Sequence, residues 1–186
     1  MKIALTGSHS TGKTTLLNEV VRRNDKLKIV SITETARIVI EKGFPMAKDA
    51  TVDSYINYVN EQLKAELNAS NRKFDMLISD RTILDAVAYS QVNKKLTDDP
   101  FIPAYVIEML ERVWLIEKEF YDFYVYCPVE FPLVFDGVRD EDSVYQKTVG
   151  EQLKMLLEKN NVRHFVVSGS VDQRHDAFVK IIEAHR

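Results

Sequence analysis

The segment Gly7-Ser8-His9-Ser10-Thr11-Gly12-Lys13-Thr14 matches the pattern G-x-x-x-x-G-K-[ST] in full. It follows a short apolar run, Ile3-Ala4-Leu5-Thr6, and leads into a helical run that begins Thr15-Leu16-Leu17. Glycine at positions 7 and 12 lets the backbone wrap an anion with its N–H groups turned inward. The positive end of the helix that starts near Lys13 faces the same anion. Gly7, Ser8, His9, Ser10, Thr11, Gly12, Lys13, Thr14 and Thr15 are therefore the candidate cradle for a nucleoside triphosphate, with Lys13 reaching the β- and γ-phosphates and the Thr14 hydroxyl ligating Mg2+. A chance match in a glycine-containing turn is the bland alternative, and the flanking strand and helix weaken it. The pattern does not fix His9, which reads as a solvent-facing variable position rather than a catalytic histidine.

A phosphate loop serves switches, motors and phosphotransferases alike, so other residues must decide between them. Thr33-Glu34-Thr35-Ala36-Arg37 follows a second apolar run, which puts Glu34 at a strand's carboxyl end, where open α/β sheets bind ligands. Glu34 suits a proton acceptor or a hydrogen-bond partner for a sugar diol, and equally an acidic residue in the first turn of the next helix. Arg37 suits a phosphate contact or a surface ion pair. After a third apolar run, Asp80 is the candidate second carboxylate for magnesium, acting through water. The alternatives for that segment are Asp80 as a helix N-cap and a capping box made by Thr82 with Asp85. Arg81 can fork onto a substrate phosphate or sugar, or bridge to Glu34 or Asp80. Arg139, in the charged turn Asp136-Gly137-Val138-Arg139, can close over the phosphates as a lid arginine or stand in a solvated turn. Ser168-Gly169-Ser170-Val171-Asp172 makes a loop expected beside the phosphate loop. Tyr55, Tyr58, Tyr89, Tyr105 and Trp114 can stack a base, although aromatics at helical spacing are more often core.

These groups need a scaffold, and the chain supplies one. Five short apolar runs, Ile3–Thr6, Ile29–Ile32, Met76–Ser79, Phe123–Cys127 and His164–Val167, alternate with longer amphipathic stretches. That alternation signals strand-helix-strand units around a buried parallel sheet. Val52, Tyr55, Ile56, Val59, Leu63 and Leu67 recur at helical steps and predict a helix with one core-packing stripe. Further helices are expected from about Pro103 to Tyr121, from about Asp142 to Asn160, and around Phe178, Ile181 and Ile182, with a break at Pro100 to Pro103. No repeat or linker tract interrupts the 186 residues, which predicts one domain over 1–186. An apolar share of 45% supports a sizeable core and excludes general disorder. The net charge of -3 gives no strong pull toward nucleic acid or membrane. One cysteine, Cys127, excludes an internal disulfide, and no signal peptide or membrane span is apparent, so a cytoplasmic address is expected.

Taken together, G-x-x-x-x-G-K-T, the E-T-A-R after the second run, the D-R-T-x-x-D after the third and the D-G-x-R after the fourth resemble the phosphate-loop nucleoside and nucleotide kinases. The set is most similar to the ribosylnicotinamide-kinase-like group, which includes many proteins labelled AAA-family ATPases. The motifs come in that family's order and span roughly Lys2 to Arg139. The resemblance implies a P-loop NTPase fold of three α/β/α layers, with a five-stranded parallel sheet in the order 2-3-1-4-5. It implies ATP with Mg2+ as donor and a nucleoside or nucleotide acceptor. Lys13, Glu34 and Arg139 would be catalytic, with Glu34 on the acceptor side beside Arg37, Asp80 and Arg81, and Thr14 and Asp80 would serve the metal. The chain departs from the family in its single lid arginine, with Lys147 the next base, where such kinases often carry two or more.

The leading expectation is thus a small-molecule phosphotransferase, acting as a monomer or homodimer without a membrane. A kinase of a modified base or hydroxyl within DNA would use Lys42, Lys48, Lys94 and Lys95 for backbone contacts. A regulatory ATPase that binds a protein partner is the alternative of another class, and it does not need Glu34.

Overall fold

A computed structural model describes residues 1–33, 35–99, 101, 104–131 and 142–185. Glu34, Arg139 and the Asp136-Gly137 turn lie outside the described residues. Five strands, β1 (Lys2–Thr6), β2 (Ile29–Ile32), β3 (Met76–Asp80), β4 (Phe123–Tyr126) and β5 (His164–Val166), form one sheet in the order β2-β3-β1-β4-β5. Every neighbouring pair is parallel. The helices are α1 (Lys13–Arg23), α2 (Thr35–Glu41), α3 (Val52–Ser70), α4 (Ile83–Val92), α5 (Lys94–Thr97), α6 (Tyr105–Glu117), α7 (Ser143–Lys159) and α8 (Val171–His185). The class, strand order and layering expected from the sequence are those observed.

The pleat sorts the core into two layers. Ile3, Leu5, Met76, Ile78, Phe123 and Val125 point to the side covered by Leu16 and Leu17 of α1 and by Phe178 of α8. Ala4, Leu77 and Tyr124 point to the other side, against α3, α4, α6 and α7, with Trp114 fully buried there. Both faces of the sheet are covered, which is why the strand sequences read as nearly continuous apolar runs rather than alternating ones. Asp142 caps α7, its Oδ1 accepting from Val144 N at 2.9 Å and Tyr145 N at 3.0 Å, so this helix begins where its cap residue stands.

α3 departs from the expectation. Ile56, Leu63 and Leu67 of the supposed core stripe are 40%, 41% and 65% exposed. The face turned inward keeps Tyr55 of that stripe, with Val52 and Val59 packed at its edge, and otherwise carries Ser54, Tyr58, Gln62, Glu66 and Ala69. Periodicity located the helix correctly, but polar groups that find buried partners displaced Ile56, Leu63 and Leu67 outward, a choice that hydrophobic patterning cannot anticipate.

Candidate active site

The phosphate loop occupies the turn from β1 into α1. Gly7 has φ +149°, and a Cβ there would lie 2.4 Å from the Cys127 carbonyl oxygen on the neighbouring strand end. Gly12, at φ +81°, stands at the N-cap of α1 in the left-handed conformation. Ser10 adopts φ +58° without being glycine, a sparsely populated conformation of the kind that clusters at ligand-binding turns. Lys13 Nζ donates to Gly7 O at 2.8 Å, Ser8 O at 2.6 Å and Thr11 Oγ1 at 3.2 Å, so the ammonium lies folded over its own loop. Burial, aided by the Arg81 charge, lowers the Lys13 pKa to about 8. The Ser8 and Ser10 hydroxyls are buried without a hydrogen-bond partner among the described residues.

Asp80 is the last residue of β3, and its Cα is paired with that of Leu5 in β1, which brings it beside the loop. The Thr14 hydroxyl donates to Asp80 Oδ2, and Asp80 Oδ1 is buried without a partner among the described residues. The helix cap in this segment is Thr82, not Asp80. Its Oγ1 accepts from Leu84 N at 3.2 Å while Asp85 Oδ2 accepts from Thr82 N at 3.2 Å, the capping box foreseen as the alternative. Asp80 is thereby left to face Thr14.

Arg81 makes no ion pair with Asp80 among the described residues, and its expected bridge to Glu34 lies outside them. Its Nη1 donates to Asp85 Oδ1 at 2.8 Å, and the guanidinium lies 5.6 Å from the centre of the Tyr89 ring. Asp85, 2% exposed, also accepts from Thr6 Oγ1 at 3.2 Å. Burial raises the Asp85 pKa, and the Arg81 and Lys13 charges oppose that rise. The Arg81 backbone has φ +86°.

A cleft of about 320 Å³ runs from the phosphate loop to α2, α3 and α4. Its walls include His9 to Thr15 of the phosphate loop, Arg37 of α2, Tyr55 and Tyr58 of α3, Tyr89 of α4, and Asp80, Arg81 and Asp85. The aromatic expectation is corrected in part: Tyr55, Tyr58 and Tyr89 line the cleft, whereas Trp114 is core and Tyr105 is 65% exposed on α6. His9 is corrected outright. It is 6% exposed, because α4 and α7 pack over the loop. The Tyr89 hydroxyl lies 3.1 Å from His9 Nδ1 and accepts from His9 N at 3.0 Å, while Gln146 Nε2 donates to His9 O at 2.8 Å. Only the assembled fold brings those helices to the loop.

Two features of the site went unread in the sequence. Arg174 of α8, 2% exposed, donates to Thr11 O, to Gly169 O at 3.0 Å and to Glu130 Oε2 at 2.7 Å, and its guanidinium lies over the Phe131 ring. It fastens the Ser168–Asp172 loop against the phosphate loop, where that loop was expected. The second is a buried polar network under the Asp80-Arg81 turn, centred on Gln62 and Glu66 of α3. Nothing local marks either residue, since each bonds across more than one element.

Of the lysines considered for DNA, Lys42 pairs with Glu61 at 2.8 Å and Lys95 pairs with Asp49. Among the described residues no helix is long and apolar enough to cross a membrane.

A family model described as an AAA domain matches residues 2–174. No curated protein matches the sequence. Among solved structures, deoxyadenosine kinase from M. mycoides with dCMP and dCDP superposes with a TM-score of 0.71 at 17% identity, covering 99% of this chain and 100% of that one. NadR protein in complex with NAD and AMP-PNP gives 0.72 at 19% identity over 98% of this chain, which spans 48% of the NadR chain. Thymidylate kinase from Candida albicans gives 0.65 at 17% identity, covering 99% and 91%. At these identities the likeness is one of fold. With the family model covering nearly its whole length, the chain belongs to the AAA domain family and carries the fold of the phosphate-loop kinases.

Proposed function

We propose that this protein is an ATP-dependent phosphotransferase whose acceptor is a small nucleoside-like molecule. The observation that carries the reading is one cleft lined both by a phosphate loop and by Tyr55, Tyr58, Tyr89 and Arg37 from α2, α3 and α4. A switch ATPase needs only the phosphate loop. The similar solved structures include ones with dATP or AMP-PNP bound, which supports a nucleotide donor.

Thr14 and Asp80 fit a magnesium ion. Their oxygens adjoin, and the buried Asp80 Oδ1 without a partner is the kind of acceptor that a hydrated divalent cation satisfies. When bound, the ion would neutralise charge on the β- and γ-phosphates. Lys13 turns from its own loop carbonyls toward the phosphates, and the loop N–H groups hold the β-phosphate. The acceptor lies against the tyrosines with its hydroxyl aimed at the γ-phosphorus. An acceptor O–P bond forms as the bond to the β–γ bridging oxygen breaks, and ADP leaves. Glu34, which immediately precedes α2, takes the hydroxyl proton, and Arg139 closes over the transferring group. Both lie outside the described residues, so their roles rest on their places in the sequence.

Arg81 has its charge matched by the buried Asp85, which lowers the net positive charge on the acceptor side. This favours a neutral hydroxyl acceptor, such as a nucleoside, over a monophosphate that needs uncompensated cations. The test is to incubate the protein with γ-labelled ATP and a panel of nucleosides, nucleoside monophosphates, nicotinamide riboside and DNA. Label is expected in a nucleoside, and ATP hydrolysis with no labelled acceptor would sink the kinase reading. In the same assay Glu34→Gln is expected to lower transfer by about a hundredfold or more.

A further inference from the structure

Gln62 is fully buried on α3 and does not line the cleft, yet it touches the two segments that bear the acceptor-side residues. Its Oε1 accepts from Thr35 Oγ1 at 2.9 Å, at the first turn of α2. Its Nε2 donates to Glu66 Oε1 at 2.8 Å, to Ser79 Oγ at 3.1 Å and, more weakly, to Arg81 O at 3.4 Å. Ser79 Oγ in turn donates to Arg81 O at 2.6 Å. The amide can face only one way. Glu66 and the Arg81 carbonyl are acceptors, so the NH2 group turns to them and the oxygen is left for Thr35.

Arg81 is not glycine, and a backbone at φ +86° persists there only because surrounding contacts hold it. The bonds that do so are Arg81 N to Leu5 O at 3.0 Å on one side, and Ser79 backed by Gln62 on the other. Glu66 closes the network from below, accepting also from Tyr121 OH at 2.8 Å. A buried network of this kind, with each member satisfied, fixes one arrangement of the elements it joins.

We propose that Gln62 is a positioning residue that sets the distance between α2 and the Asp80-Arg81 turn, and so aligns the acceptor with the phosphoryl donor. The proposal rests on the acceptor reading given above. It requires the Gln62 amide to fix the register of α2, which carries Arg37 and follows Glu34, against Arg81, beyond what the β2–β3 pairing and the packing of α2 on α3 already set. Misplacement by about an ångström at a reacting centre can cost up to a hundredfold in rate.

The experiment compares the wild type with Gln62→Met and Thr35→Val in the full chain by amide hydrogen exchange and by steady-state kinetics. Each variant is expected to speed exchange in α2 by roughly fivefold or more, with α1 unchanged, because both lose the bond from Thr35 to Gln62 and neither touches α1. Each is expected to lower kcat/KM for the acceptor about tenfold while KM for ATP stays within about twofold. The double variant should lose less than the product of the two single losses, since both remove the same bond. Unchanged α2 exchange, or a KM for ATP that rises in step with that of the acceptor, overturns the proposal. If Gln62→Met does not fold, Thr35→Val alone decides. If the wild type labels no acceptor, the proposed function fails, and the exchange result still decides whether Gln62 anchors α2.

Discussion

The Thr14 hydroxyl, on the first turn of α1, donates to Asp80 Oδ2 at the end of β3, so two groups from different strand-helix units meet beneath the phosphate loop. Hydroxyl and carboxylate are the pair assigned above to magnesium. Asp80→Asn is expected to lower kcat by about a hundredfold and to raise the magnesium concentration needed for half-maximal rate. A magnesium titration of activity at saturating ATP checks this, and an unshifted midpoint would remove Asp80 from the metal.

Lys13 gives a pH dependence with a definite sign. Burial lowers its pKa to about 8 in the ligand-free protein. Below that pH the ammonium is charged and attracts the triphosphate; above it the amine is neutral. Bound phosphate favours the charged form, so ATP binding should take up a proton above about pH 8 and weaken by up to about tenfold per unit there. Calorimetry in buffers of differing ionisation enthalpy measures that uptake directly. Lys13→Ala should abolish the proton uptake together with most of the affinity.

Gly7→Ala places a methyl group 2.4 Å from the Cys127 carbonyl oxygen and 2.9 Å from Thr11 Oγ1. Backbone has to move at one strand end or the other. A loss of at least about 2 kcal/mol of stability is expected, which lowers the melting temperature by roughly 4 to 8 °C in a chain of this size. Thermal unfolding followed by circular dichroism reads it. A variant of unchanged melting temperature would show that the loop yields without cost.

Arg174 holds the phosphate loop through Thr11 O and does not line the cleft. Replacing it by Met removes its bonds to Thr11 O, Gly169 O and Glu130. ATP binding should weaken by about tenfold, while KM for the acceptor stays within about twofold, the mirror image of the Gln62 variants. Kinetics with each substrate varied in turn distinguishes the two.

Much of this arrangement was legible in the sequence because local rules govern it. The phosphate loop carries glycine at positions 7 and 12, two of its three positions of positive φ, and Thr82 with Asp85 spells a capping box in four residues. The buried parallel strands could be read from their apolar runs for the same reason. What escaped depends on distant partners. His9 is buried by Tyr89 and Gln146, which lie 80 and 137 residues away. Gln62 and Glu66 form the inward face of α3 because Thr35, Ser79 and Tyr121 supply their partners, and no window around residue 62 contains that information.

The bond from Arg174 to Thr11 joins residues 163 positions apart, between the turn that follows the first strand and the last helix. During synthesis the phosphate loop can acquire this support only after α8 has left the ribosome, although its own residues emerge well before that helix. Such a closing contact of long sequence separation comes late and slowly, because most of the chain's loop entropy must be lost before it forms. A nascent chain halted before α8 would hold every residue of the G-x-x-x-x-G-K-T pattern and yet lack the contact that fastens the loop. The fastening of the phosphate loop is therefore a late event of folding, set by a helix that the chain makes long after the loop itself.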